Sequence, residues 1–228
     1  MLFFDLDDTL FDHLHAERMG ARDFLHEHRH LFPWSPDEFA ARWHRLSEHH
    51  FDRHARGEIT HAEQRRDRWQ GIWAEAGLRL PEGEVQGVSQ RFLVHYQRHW
   101  RAFPDVAPCL ETLAGRPLGM ISNGLLSQQR DKLESLGLLE RFTPLVISEE
   151  VGVTKPHPRI FHEACRRAGK APADCLYVGD KWATDALAAR DAGLTAVWLN
   201  RLGEDRPCDG VSVIRTLSEL PDLLRRIP

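Results

Sequence analysis

The stretch FFDLDDTLFD, Phe3 to Asp12, places carboxylates at positions 5, 7, 8 and 12 directly after a short apolar run. Like charges this close repel, and burying them unpaired is expensive. A divalent cation offsets that cost, and a cation beside a carboxylate suits chemistry at phosphorus. Asp5 can attack phosphorus and form an aspartyl-phosphate. Asp7, two residues on, can protonate the leaving oxygen and later activate water. A hard Mg²⁺ ion takes oxygen ligands with only one or two carboxylates among them, a role that fits Asp5 and Asp180. The Ser122 hydroxyl and the neighbouring backbone N–H groups, with Asn123, can bind phosphate oxygens. Lys155 offers positive charge against both the phosphate and the Asp5 carboxylate.

These residues fall where elements end. The runs LFFDL (2–6), LGMIS (118–122), PLVIS (144–148), CLYVG (175–179) and TAVWL (195–199) are short, apolar and rich in strand formers. Helical stretches at about 106–114, 125–137, 158–169 and 183–192 separate the later ones, an alternation that predicts parallel βαβ units. Ligands of such sheets bind beyond the carboxyl ends of the strands. Asp5, Asp7 and Thr9 follow the first strand, Ser122 and Asn123 the second, and Asp180 and Asp185 the fourth, while Lys155 lies near the third. Asn200 and Arg201 follow the fifth and rank low.

Residues 14–100 have a different style, with helical spacing throughout. Ser35 with Glu38, and Thr60 with Glu63, are capping boxes, and Gly57 and Gly77 stop the helices that follow. About four helices are expected. The predicted organisation is therefore an α/β core made of 1–13 and 101–228, interrupted by a helical module at 14–100.

In chain order, FFDLDDTLFD, ISNG, GVTKPHPRIF and YVGDKWATD resemble the four motifs of the haloacid dehalogenase superfamily. The resemblance implies a Rossmann-like parallel sheet flanked by helices. It implies Asp5 as nucleophile, Asp7 as general acid and base, and Mg²⁺ held by the Asp5 side chain, the Asp7 backbone carbonyl and Asp180. Asp185 supports that shell, and Ser122 and Lys155 hold the phosphoryl group. The inserted module resembles the family's helical cap, which closes over the site and selects the substrate. Lys181, directly after Asp180, departs from the small polar residue expected there. Asp7 is the discriminating residue, since an alkoxide needs a proton to leave and a halide does not. The expected activity is thus Mg²⁺-dependent hydrolysis of a small phosphomonoester. DLDDTLFD is closer to the nucleotidase-type members than to DLDGTL, so a nucleoside 5′-monophosphate is the first substrate expected. The rivals are phosphoglucomutase-like transfer, a 2-haloacid dehalogenase and a non-catalytic phosphate-binding module.

Composition narrows the partners. A net charge of −4 announces no nucleic-acid polymer and no membrane surface. No apolar run reaches the length of about 18 residues that a membrane span needs. The four cysteines form no C-x-x-C pair and read as reduced, which suits a cytoplasmic protein. The histidine pairs 50/54 and 95/99 have a spacing that can bind zinc on a helix, but no H-E-x-x-H accompanies them. Trp34, Trp43, Trp69, Trp73 and Trp100 read mainly as packing residues of the helical module.

Overall fold

The computed structural model describes residues 1–208 and 210–227. It divides into two compact units, one of Met1–Asp12 with the chain from Arg101 onward, the other of His13–Trp100. The helical unit thus begins one residue before the boundary read from the sequence.

The first unit is built on a six-stranded, wholly parallel sheet of order β3-β2-β1-β4-β5-β6. The strands are β1 (Leu2–Phe4), β2 (Leu118–Ser122), β3 (Leu145–Ile147), β4 (Leu176–Gly179), β5 (Thr195–Leu199) and β6 (Ser212–Ile214). Leu2 pairs with Leu118 on one side and with Leu176 on the other, so β1 lies at the centre. The chain adds strands on one side of β1 and then returns to the other. The switch point lies between β1 and β4, the place where sheets of this kind bind ligands beyond the carboxyl ends of the strands. Near-continuous apolar strands are what a sheet covered on both faces requires, and β1, β2 and β4 are buried throughout. Phe3 and Tyr177 are fully buried in this core with Ile121, Val146 and Phe161. Gly119 is fixed by the packing, because a Cβ there would lie 2.5 Å from Cε1 of Phe3.

Three features differ from the sequence reading. β1 stops at Phe4 instead of residue 6, because the N–H groups of Thr9, Leu10 and Phe11 all converge on the Leu6 carbonyl and wind the chain into a tight turn. Asp8 takes a φ of 58° inside this turn, a left-handed conformation that Asp tolerates better than most residues. The sixth strand falls outside the five apolar runs. It is three residues long, sits at the sheet edge and leaves Val213 exposed, so it lacks a readable apolar run. The helix expected at 183–192 is a π-helical turn, Trp182–Leu187, that continues into a short α-helix, Ala188–Asp191.

The chain leaves and re-enters this unit through a closed seam. Asp12 N–H donates to the Arg101 carbonyl at 3.0 Å, and Phe103 N–H donates to that of Leu10 at 3.1 Å. Two nitrogens of Arg101 also hold Oδ2 of Asp12, at 2.7 and 2.9 Å. Asp12 is therefore a structural ion-pair partner.

The second unit packs four helices, α1 (His13–Glu27), α2 (Pro36–Ala55), α3 (His61–Glu75) and α4 (Val85–Gln97). Both expected capping boxes form, with Ser35 and Glu38 opening α2 and Thr60 and Glu63 opening α3. The indole rings of Trp43 and Trp69 lie 4.2 Å apart at the centre of the helical core. Trp34 and Trp73 are buried beside them. Gly20 lets α1 and α4 meet, since a Cβ there would come within 2.9 Å of Cα of Tyr96. Several histidines of this unit serve as hydrogen-bond partners. His95 meets Glu27 at 2.6 Å, His99 meets Asp23 at 2.7 Å, and His54 meets the Ile59 carbonyl at 3.0 Å. No helix among the described residues is long and apolar enough to cross a membrane.

Candidate active site

β1 delivers Asp5 and β4 delivers Asp180 to the switch point of the sheet. The Asp5 N–H still donates to the Val178 carbonyl at 2.9 Å, so the first carboxylate stands on rigid sheet backbone. The turn after it carries Asp7 and Thr9. Thr9 is fully buried, and its hydroxyl donates to Oδ1 of Asp180 at 3.3 Å, tying the two strand ends together.

Lys155 is the charged centre of the site. Its ammonium donates to Oδ1 of Asp5 at 2.7 Å, to Oδ1 of Asp185 at 2.7 Å and to the Tyr177 hydroxyl at 2.8 Å. All four residues are buried. Burial opposes the lysine's charge, but Asp185 and Asp5 outweigh it and keep the group protonated well above its ordinary range. Burial pushes the Asp5 carboxyl up to about 7, against the pull of Lys155 and with the help of Asp185. Desolvation and the neighbouring carboxylates Asp185, Asp5 and Asp8 raise Asp180 well above the usual carboxylate range. The site thus holds more negative charge than Lys155 neutralises.

That excess is what a cation would relieve. Asp5, Asp180 and Asp185 each bring a carboxylate oxygen within 4.8 Å of the others. The Asp185 oxygens are already engaged, Oδ1 by Lys155 and Tyr177 and Oδ2 by the Lys181 N–H at 3.0 Å. Oδ2 of Asp5 and Oδ2 of Asp180 accept no hydrogen bond among the described residues. This all-oxygen donor set fits a hard divalent ion. Lys181 is exposed; its backbone N–H holds Asp185, and its charge pulls Asp180 down against the neighbouring carboxylates.

On the other side of β1, Ser122 ends β2 and is buried, with its hydroxyl oxygen accepting from Nε2 of Gln129 at 2.7 Å. The Asn123 side chain is engaged by the backbone of Lys155. Its Nδ2 donates to the Lys155 carbonyl at 3.1 Å and its Oδ1 accepts from the Lys155 N–H at 2.7 Å. Asn123 therefore holds the Lys155 backbone in place, a positioning role that spacing in the sequence does not reveal.

Gly179 is required beneath Asp185. An added Cβ would lie 2.6 Å from both Cβ and Cγ of Asp185. Both sides of this contact are buried, so the contact can be relieved only by displacing the carboxylate that holds Lys155 and Tyr177. Gly179→Ala is expected to lower turnover by about 10²-fold, because displacements of about 1 Å carry costs of that size. Steady-state kinetics beside a thermal unfolding curve check this, and unchanged turnover would contradict it.

Sequence reasoning missed Tyr177, Gln129 and Lys132. Tyr177 donates its hydroxyl to Oδ1 of Asp185 at 3.0 Å, and burial and the adjacent Asp185 and Asp5 keep the phenol protonated. Its signal was a hydroxyl inside the apolar run CLYVG. Gln129 and Lys132 lie on α6 (Leu126–Ser135), the helix that follows α5 (Val106–Thr112) in the chain, and point to Asp7. Their signal was the i, i+3, i+4 stripe they share with Leu133. Arg201 also matters. It donates to the Thr9 carbonyl at 2.9 Å and pairs with both oxygens of Asp105 at 2.9 and 3.0 Å, anchoring the turn that carries Asp7.

A family model described as haloacid dehalogenase-like hydrolase matches residues 1–193. A glyceraldehyde 3-phosphate phosphatase of Methanopyrus kandleri is 44% identical over 103 residues, covering 44% of each chain. The pyrimidine 5′-nucleotidase YjjG of Escherichia coli is 34% identical over 169 residues, covering 73% of this chain and 72% of that one. This chain spans about half the length of the first curated relatives it matches, 44% and 59% of two glyceraldehyde 3-phosphate phosphatases. The structure of YfnB from Bacillus subtilis, solved with magnesium bound, superposes with a TM-score of 0.84 at 22% identity over 98% of this chain and 97% of that one. That likeness is one of fold.

Proposed function

Because this chain belongs to the haloacid dehalogenase-like hydrolases, we propose that it hydrolyses a small phosphomonoester, with Asp5 as the attacking group. The observation that carries this reading is a buried carboxylate on the central strand, Asp5, paired at 2.7 Å with buried Lys155, with a second carboxylate, Asp7, two residues on. A carboxylate nucleophile alone would serve several members of the family. The second carboxylate supplies what an oxygen leaving group needs, a proton, which a departing halide does not.

In the proposed sequence an Asp5 carboxylate oxygen forms a bond to phosphorus, and the bond from phosphorus to the ester oxygen breaks. Asp7 gives its proton to that oxygen, releasing the alcohol. Water then attacks phosphorus and passes its proton to Asp7. The aspartyl–phosphorus bond breaks, phosphate leaves, and both carboxyl groups return to their starting states. The sum is ester plus water to alcohol plus phosphate. Lys155 favours the ionised form of Asp5 against the burial that opposes it and orients the group, and Ser122 lines the side from which phosphate oxygens are held. Asp5 and Asp180, with the Asp7 backbone carbonyl, would hold Mg²⁺, which when bound supplies charge to offset the crowded oxygens of the phosphoryl group.

The relative matched over 73% of this chain is named for pyrimidine 5′-nucleotides, which supports a nucleoside 5′-monophosphate as the substrate to test first. Under this reading the helical unit is the family's substrate-selecting insertion. Phosphate release from nucleotide and sugar phosphates, measured with Mg²⁺ and with a chelator, tests the proposal. Asp7→Asn is expected to cut kcat/KM for alkyl phosphates by about 10²–10³-fold and for aryl phosphates by about tenfold or less, because aryl oxides leave with little protonation. Equal losses on both would remove Asp7 from the acid's role.

A further inference from the structure

We propose that Lys132 and Gln129 form a clamp that positions the Asp7 carboxylate, and that Gln129 couples it to Ser122. This rests on the phosphomonoesterase reading and deepens it.

The geometry begins on α6, where Gln129 and Lys132 are i, i+3 neighbours on one face. The Lys132 ammonium donates to Oδ1 of Asp7 at 2.6 Å. Nε2 of Gln129 donates to Oδ2 of the same carboxylate at 3.0 Å. Both oxygens of Asp7 are therefore held, which fixes the direction and the plane of the group together. The same Gln129 nitrogen lies 2.7 Å from Oγ of Ser122 and 3.0 Å from the Asn123 carbonyl. An amide nitrogen has two hydrogens and here faces three acceptors, so a shift at Asp7 is felt at Ser122.

Burial separates this arrangement from an ordinary ion pair. The Lys132 side chain is 4% exposed, whereas that of Asp7 is 28% exposed. The lysine is shut behind the carboxylate, with its ammonium 4.9 Å from the centre of the Phe11 ring, and the carboxylate is presented outward. A lysine used only for solubility would leave its charge in water, since burying it carries a desolvation cost. Here that cost is offset by a short charge-assisted hydrogen bond to one particular acceptor. Lys132 and Gln129 are positioning residues, acting on the reaction through Asp7.

The test compares Lys132→Met and Gln129→Met with wild type on glycerol phosphate and on p-nitrophenyl phosphate. With Lys132→Met, kcat/KM for glycerol phosphate is expected to fall about 30-fold while that for p-nitrophenyl phosphate falls about threefold or less. The loss should appear in kcat, with KM moving less than about threefold. Lys132→Arg, which keeps the cation, should recover most of the selective loss. In an Asp7→Asn background Lys132→Met should cost nothing more, since the group it positions is gone. Gln129→Met should show the same selectivity with a smaller loss, and it carries the test if Lys132→Met does not fold. Equal losses on the two esters, a full further loss in the Asp7→Asn background, or no loss would each overturn the clamp. A wild type that is active, with Asp7→Asn selective and the clamp variants silent, overturns the clamp alone. A wild type inactive on every phosphomonoester overturns the function and the clamp with it.

Discussion

Replacing Asp5 by Asn is expected to reduce phosphate release by roughly 10⁴-fold or more, the scale seen when a covalent nucleophile is removed. Asn keeps the shape and an oxygen that can accept from Lys155, but it cannot hold a phosphoryl group as an acyl phosphate. The variant should fold as well as wild type. Burial pushes the Asp5 carboxyl up to about 7, which means that its charge is tolerated at that position more than it is favoured. Removing it relieves repulsion from Asp185 and lifts the repulsion that Asp5 exerts on Asp180, while leaving the lysine a partner in Asp185. A thermal midpoint near that of wild type, beside the loss of turnover, would separate chemistry from stability. Turnover within about tenfold of wild type would exclude Asp5 as the nucleophile.

Lys155→Met is expected to damage both activity and stability. The ammonium joins two buried carboxylates and a buried phenol, each within 2.8 Å. Removing one member of a buried charge network leaves the others uncompensated, at about 3–5 kcal/mol. For a protein of this size that is a fall of about 10 °C in thermal midpoint. The second change Asp185→Asn should recover part of that stability, because it removes one of the stranded charges, but it should recover no turnover. A Lys155→Met protein with the wild-type midpoint would contradict the network described here. Recovery of turnover in the double variant would show that Lys155 serves only to neutralise Asp185.

The parts of the site legible in the sequence were those set by local rules. Asp5, Ser122 and Asp180 stand at the ends of the apolar runs that form β1, β2 and β4, so strand patterning places them at the carboxyl ends of the strands. Ser35 and Thr60 cap helices because a hydroxyl and a glutamate three residues later satisfy free backbone donors. What stayed hidden depends on tertiary neighbours. Asn123 stands in a phosphate motif, yet its amide faces the Lys155 backbone, a partner 32 residues away. Lys132 is one more polar position of a helical stretch in the sequence, and nothing in its neighbourhood shows that Asp7, 125 residues back, meets it. Arg201 ranked low for the same reason, although it anchors the Thr9 carbonyl from across the chain. β6 escaped because an edge strand of three residues carries no periodicity to detect.

The most direct test of the central claim is to trap the phosphoryl group on the chain. The protein is mixed with a ³²P-labelled phosphomonoester and Mg²⁺, quenched in acid during turnover, digested and mapped. The expected result is label on the peptide that contains Asp5, absent from Asp5→Asn and released as phosphate when the quench is delayed. Steady phosphate release with no label on that peptide at any quench time would contradict an aspartyl-phosphate at Asp5.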